Sequence, residues 1–367
     1  MTGIYIHIPF CRSRCLYCDF YSTTLLELRQ RYVEALCREM LFREHPVQAE
    51  TIYLGGGTPS QLSPSQLRQL FCNINKVYAP KADAEITMEC NPDDVSEPFA
   101  QLLQELPVNR VSMGVQTFDD CRLRFLRRRH NASQVGEAIK RLRQAGIGNI
   151  SIDLIYGFPG QAIEEWREDI RQALELKVEH LSAYSLMYEE GTPLYQLLQS
   201  GQVKEIDEEL SRQMYYELKD QLAVAGFEHY EISNFARPGF RSRHNSSYWN
   251  NTPYIGLGAA AHSYDGHRRQ WNVADIRQYI EGIENGKPIT DFELLDDDTK
   301  YNERVMLGLR TCEGVDLNSL SAHHRSYCME QASTYLEQGL LEQCNSQLKL
   351  TREGLFVSDM VMSSLFL

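Results

Sequence analysis

The sequence predicts an α/β fold: a partial, three-quarter (β/α)6 barrel followed by a small C-terminal α+β domain of winged-helix-like pattern. Short apolar strands alternate with amphipathic helices from residue 3 to about residue 187, the rhythm stops after Met187, and residues 299–367 read as helix, helix, hairpin and helix. A chain of 367 residues, 43% of them hydrophobic, exceeds a single ordinary core, which fits a division into 1–187, 188–298 and 299–367.

Apolar runs at 3–8, 51–54, 84–89, 110–114, 149–154 and 180–186 are the strand candidates, and the stretches 26–43, 63–78, 97–105, 132–145 and 162–176 between them carry helical periodicity. Ser63 and Pro64 supply an N-cap and first-position pair for the second helix. Strands in this order pair in parallel through right-handed crossovers, and six units are too few to close an eight-stranded barrel. Functional residues then belong at the carboxyl ends of the strands. Beyond Met187, a helix at 208–225 and a strand at 228–232 precede residues 236–265. That Gly- and Asn-rich stretch reads as a long loop, kept ordered by Tyr248, Trp249 and Tyr254.

Cys11, Cys15 and Cys18 follow directly on the first strand with C-x3-C-x2-C spacing. Three thiols cannot pair off as disulfides. A short loop after a buried strand brings the sulfurs to one face, where thiolates can hold three irons of a 4Fe-4S cube and leave the fourth iron open. The bland alternative is three unremarkable free cysteines. The other seven, Cys37, Cys72, Cys90, Cys121, Cys312, Cys328 and Cys344, are scattered singly and read as small core residues. No secretory signal and no run of about eighteen apolar residues is visible, so the expected compartment is the reducing cytoplasm. A formal net charge of −13 argues against broad affinity for nucleic acid or anionic membranes.

Gly55, Gly56 and Gly57, followed by Thr58, end the second strand, where backbone N–H groups can approach a ligand closely; a plain tight turn is the alternative. Glu89 ends the third strand, Gln116 follows the fourth and Asp153 lies at the end of the fifth. Polar groups at matching strand ends need partners, which a ligand with an ammonium group and ribose hydroxyls would supply.

The strings GIYIHIPFCRSRCLYCDFYS, YLGGGTPS, MECNPDD, RVSMGVQTFDD, IDLIYGFPGQ and HLSAYSLMYEEGTPLY resemble the radical S-adenosylmethionine (SAM) proteins of the oxygen-independent coproporphyrinogen oxidase group. The resemblance implies a radical SAM barrel with Cys11, Cys15 and Cys18 as ligands of the 4Fe-4S cluster. In that family the methionine part of SAM chelates the open iron, and one electron from the cluster cleaves the sulfonium C–S bond to give a 5'-deoxyadenosyl radical. It places Tyr5, Phe20 and Gly55 to Thr58 against the cofactor and Glu89 near it. It also matches Gln116, Arg128 and Asp153 to positions that contact a further cofactor molecule or polar ligand. Arg128 sits in the run from Arg127 to His130, which by composition alone reads as a solvated basic face.

Within that group the chain resembles the haem-chaperone subgroup. The first cysteine is already residue 11 and Cys18 is followed by Asp19 and Phe20, so the long arm and extra cysteine of the oxidase are not matched. The segment HNSSYW, His244 to Trp249, matches the subgroup's HNxxYW motif. The resemblance implies that His244 binds haem, with Tyr248 and Trp249 against the porphyrin and Arg243 on a propionate; a capping or surface histidine is the alternative. His262 is a structural histidine or a second ligand candidate, and His7 is expected to pack or to support the cluster loop from behind its ligands. The expected function is a haem chaperone that passes haem to an apo-haemoprotein, with coproporphyrinogen III oxidation as the rival. Residues 299–367 carry no dense basic face, so that domain is expected to contact protein or act as a lid and not to read DNA.

Overall fold

The computed structural model describes residues 3–43 and 48–367. Six strands, β1 (Gly3–Ile8), β2 (Thr51–Gly56), β3 (Glu85–Cys90), β4 (Arg110–Gln116), β5 (Asn149–Tyr156) and β6 (His180–Ser185), lie side by side in chain order, each parallel to the next. Helices α1 (Arg29–Phe42), α2 (Pro64–Tyr78), α3 (Glu97–Glu105), α4 (Asp120–Phe125), α5 (Ala132–Gln144) and α6 (Ile163–Glu175) fill the connections. The expected three-quarter barrel is therefore present. Alternation explains the orientation of β1: Ile4, Ile6 and Ile8 are fully buried in the main core, while Tyr5 and His7 point to the opposite face and line cavities. As the sequence predicts, Ser63 caps α2 with Pro64 at the first position, and Gln66 completes a capping box.

The next elements are α7 (Pro193–Gln199), α8 (Glu208–Val224), β7 (Glu228–Glu231), β8 (Asn234–Ala236), α9 (Arg243–Trp249), β9 (Tyr254–Leu257), β10 (His262–Tyr264), β11 (Arg268–Asn272), α10 (Ile276–Glu284) and β12 (Thr290–Leu294). They extend the sheet at both edges to twelve strands, in the order β12-β11-β10-β9-β1-β2-β3-β4-β5-β6-β8-β7. The long loop expected at 236–265 is thus corrected: it holds α9, β9 and β10, and β9 is a further parallel neighbour of β1. Strands of three and four residues are too short to display a period. Segment 188–298 shares the barrel's sheet. All five residues of β12, the outermost strand on one side, are exposed.

Glu39 ties these additions to the barrel. Almost wholly buried on α1, it accepts hydrogen bonds from the Gly258 N–H (2.8 Å), the Asn272 amide (2.8 Å) and the Tyr279 hydroxyl (2.7 Å), with Arg43 at 3.3 Å. A buried carboxylate with four donors is satisfied, and it fixes the end of β9, β11 and α10 against α1.

The C-terminal region contains α11 (Asp297–Leu309), β13 (Val315–Asp316), α12 (Ala322–Glu337), β14 (Leu341–Cys344), β15 (Gln347–Leu350), α13 (Arg352–Phe356) and α14 (Ser358–Ser364), with its own three-stranded antiparallel sheet and its own core. The expected α+β order is present. Backbone bonds from Ile232 N–H to Arg310 O (3.0 Å) and from Cys312 N–H to Tyr230 O (3.1 Å) join it to β7. One expectation about the scattered cysteines fails: Cys37, Cys90 and Cys328 are buried, but Cys72, Cys121, Cys312 and Cys344 are exposed. Cys72 and Cys121 occupy outward faces of amphipathic helices, where a small residue costs little. Among the described residues no helix is long and apolar enough to cross a membrane.

Candidate functional site

The cysteine loop begins where β1 and β2 end together, with Ile8 opposite Gly56. Its root is held by the bonds Thr23 N–H to Pro9 O (2.7 Å), Cys11 N–H to Thr23 O (2.9 Å) and Gly57 N–H to Ile8 O (2.9 Å). Leu16 anchors its middle: the side chain is buried with Leu126, Ile155, Phe158, Leu186 and Leu194, while its N–H and C=O bond to Leu126 and Leu194. Cys11, Cys15 and Cys18, on either side of this anchor, line one cavity of about 190 Å³. Burial pushes the Cys11 thiol up and the Cys18 thiol up to about 11, with the Thr58 hydroxyl opposing at Cys11. No group of His, Cys, Asp or Glu among the described residues is gathered tightly enough to hold a single metal ion. Three thiols spread around one cavity suit a cluster, whose ligands approach from separate corners.

The three glycines are demanded by packing. A Cβ on Gly55 would stand 2.7 Å from the Tyr53 ring and 2.8 Å from a Glu89 oxygen, one on Gly56 (φ +105°) 2.3 Å from His7, and one on Gly57 2.6 Å from the Pro9 carbonyl carbon. Gly56, Gly57 and Thr58 line the cysteine cavity; Gly55 supports it from behind. His7, bonded through Nδ1 to the Tyr5 hydroxyl (3.0 Å) and through Nε2 to Tyr21 O (2.9 Å), is held in place behind the glycine turn.

Glu89, Gln116, Arg128 and Asp153 line the same cavity. Glu89 accepts from the Tyr53 hydroxyl (2.7 Å) and the Gly56 N–H (3.1 Å), yet burial, reinforced by the charge of Asp153, pushes it up to about 7. Burial likewise pushes Asp153 up to about 6 against the hydroxyls of Ser182 and Ser112. Gln116 adopts a left-handed φ of +70° at an irregularity between β4 and β5, a strained conformation of the kind found where a side chain is re-aimed into a site. The arginine run divides. Arg127 is exposed and left-handed (φ +60°), Arg129 pairs with Asp93 and Asp94, and Arg128 turns inward to Asn91 Oδ1 and Gly114 O (2.6 Å each) and to Cys15 Sγ (3.5 Å). Its solvated-face reading does not hold.

Tyr5 and His244 stand elsewhere. Both line a second cavity, of about 400 Å³, with Tyr53, Tyr184, Tyr248, Trp249, Glu231 and Arg310. Tyr5 thus lines the cavity next to the cysteines and not the cysteine cavity itself. Phe20, Gly56 and Glu89 line both cavities, so the two adjoin. Phe20, 65% exposed, also borders a third hollow that holds His7, Tyr21, Tyr254 and His262.

His244 is fully buried on α9. Its Nδ1 bonds to Thr51 Oγ1 (2.8 Å), its Nε2 to the Tyr248 hydroxyl (2.8 Å), and its ring stacks on Tyr53 at 5.2 Å. Burial pushes it down to about 3, so the ring is neutral. Arg243 departs from the expected propionate contact: its guanidinium faces Asp83, bonding to the backbone oxygen at 2.6 Å. His262 is exposed and its ring has no hydrogen bond among the described residues. Sequence reading missed Tyr53, Asn91, Glu231 and Arg310. Asn91, inside the quoted MECNPDD string, bridges Thr58 (3.3 Å) and Arg128.

Gly56→Ala meets both a left-handed backbone and the fixed His7 ring, and should cost about 3 kcal/mol. Gly160→Ala, left-handed but in open space, should cost about 1 kcal/mol. Denaturant midpoints of the two variants check the difference.

The family description Radical SAM superfamily matches residues 5–173, and that of the HemN C-terminal domain matches residues 295–357. A protein named heme chaperone HemW from Bacillus subtilis (strain 168) is 37% identical over 378 aligned residues, covering 99% of each chain. One of the same name from Lactococcus lactis subsp. lactis (strain IL1403) is 36% identical, covering 100% of this chain and 97% of that one. The solved coproporphyrinogen III oxidase HemN of Escherichia coli, a radical SAM enzyme, superposes with a TM-score of 0.87 over 100% of this chain and 90% of that one at 21% identity, a likeness of fold. With identity above 30% along the whole of both chains, and a cysteine loop, glycine turn and strand-end carboxylates converging as the superfamily requires, the chain belongs to the HemW family of radical SAM proteins.

Proposed function

We propose that the chain is a cytoplasmic haem chaperone: it takes up haem in the aromatic cavity beside the cysteine loop and hands it to an apo-haemoprotein. The observation that carries this reading is the adjacency of the two cavities. The HNSSYW residues His244, Tyr248 and Trp249 line one, the three cysteines line the other, and Phe20, Gly56 and Glu89 belong to both. Cavities of this size with aromatic walls and a few convergent polar groups are the usual form of a small-molecule site.

Cys11, Cys15 and Cys18 would hold the 4Fe-4S cluster, with Gly56, Gly57, Thr58, Glu89, Gln116, Arg128 and Asp153 around SAM; bound together, the two groups supply one-electron chemistry. Glu89 and Asp153 provide negative charge for a cationic cofactor. Arg128 sets a positive charge beside Cys15.

His244 is proposed as the haem ligand. A metal-bound imidazole must be neutral, and burial keeps this one so. Thr51 holds Nδ1 and thereby fixes the ring, so Nε2 is the nitrogen available to iron once the Tyr248 hydroxyl leaves it. A single protein ligand leaves the second axial position for exchange with an acceptor.

Anaerobic incubation of the reconstituted protein with coproporphyrinogen III, SAM and a reductant should give no protoporphyrinogen, while added haem binds. Protoporphyrinogen would establish the oxidase reaction instead. SAM affinity should rise about tenfold between pH 6 and pH 8, because Glu89 is largely protonated below about 7 and ionised above it. Glu89→Gln should flatten that dependence, as read by calorimetry at the two pH values. His244→Ala should weaken haem binding about tenfold with cluster absorbance intact, and Tyr248→Phe, which frees Nε2, should strengthen it several-fold. Unchanged haem affinity in His244→Ala would remove it as the ligand and make His262 or a cysteine the next candidate.

A further inference from the structure

The aromatic cavity has one strongly polar end, and it is built by the C-terminal region. Arg310, immediately after α11, extends its guanidinium into the cavity wall. Two of its N–H groups go to one oxygen of Glu231: Nε at 3.0 Å and Nη2 at 2.6 Å. The other Glu231 oxygen accepts the Ser233 N–H (3.0 Å) and the Asn234 amide (2.5 Å), so this wholly buried carboxylate is saturated from both sides. The Arg310 guanidinium also packs over the indole of Trp249, 5.1 Å from its centroid. It keeps 30% of its side chain exposed, and Nη1 has no hydrogen-bond partner among the described residues.

Two further observations point to a missing acceptor. The indole Nε1–H of Trp249 is buried and bonds to nothing among the described residues, although buried donors in folded proteins nearly always find a partner. Asn245 lines the same cavity. Arg310 is the sole Lys or Arg among the described residues lining this cavity, since Arg243 faces Asp83. Spare donors from a guanidinium and an indole at one end of an aromatic hollow fit a flat apolar ligand carrying a carboxylate at its rim.

We propose that Arg310, with Trp249 Nε1 beside it, is the carboxylate-binding group of this cavity and orients a tetrapyrrole through one propionate. Glu231 holds the guanidinium in place and balances its charge, so the donors are in position before the ligand arrives. The C-terminal region is thereby part of the ligand site. This assignment rests on the haem-binding reading of the cavity.

Titration with haem and with haem dimethyl ester, followed by absorbance, tests it. The wild-type protein should bind haem about tenfold more tightly than the ester, the value of one charge-assisted hydrogen-bonded contact. Arg310→Met combined with Glu231→Gln removes the guanidinium without stranding a buried carboxylate, and should bind both ligands alike at the ester's affinity. Absence of the preference in the wild type, or its persistence in a double variant whose melting temperature is unchanged, would overturn the assignment. Asn245→Trp, which fills the cavity, separates the two levels. If it weakens haem binding while the double variant retains the preference, only the role of Arg310 falls. If it leaves haem binding untouched, haem sits elsewhere and the reading of the cavity falls as well.

Discussion

The pairing of β1 with β2 is the constraint on which the rest of the structure depends. Its register sets Ile8 opposite Gly56, so the two chains leave the sheet with backbone against backbone, and a side chain at 57 would strike the Pro9 carbonyl carbon. The cysteine loop and the glycine turn are therefore placed by one contact. That contact also fixes His7 against Gly56 and Glu89 behind Gly55, which is why the carboxylate reaches both cavities.

Electrostatics add a second layer. Two carboxyl groups, Glu89 and Asp153, are buried with Coulomb repulsion between them and too few hydrogen bonds to offset the loss of hydration, so each is held nearer to neutrality than in water. A cationic guest would relieve both. Two such carboxyl groups facing one cavity are a cost to the fold that a purely structural role does not explain. The strained Gln116 backbone between them belongs to the same pattern.

Much of this was legible in the sequence. Six βα units show their periods because parallel strands covered on both faces are continuous apolar runs, and Cys11, Glu89 and Gln116 stand at or next to strand ends that those periods locate, whereas β5 runs on to Tyr156 and leaves Asp153 within the strand. The remainder depended on partners far away in the chain. Arg310 and Glu231 are separated by 79 positions and nothing local announces their pairing. Strand β9 owes its existence to β1, more than two hundred residues earlier, and to the Glu39 carboxylate that grips Gly258. Tyr5 and Arg128 show how orientation escapes a motif: alternation along β1 turns Tyr5 toward His244, and the left-handed Arg127 swings the next side chain inward.

A sheet that never closes has two rims, and they are treated differently. The β7 rim is sheltered by the C-terminal region, whose Thr311 bridges to Glu231. The β12 rim lies bare, with Phe292 and Leu294 turned to solvent between Asp291 and Glu293. Glu293 is paired with Arg269 of β11, whereas Asp291, opposite Trp271, has no ion pair among the described residues and would meet its own kind if two such rims came together. Among the described residues this margin thus carries a charge where bare backbone and apolar side chains would otherwise invite another strand to pair.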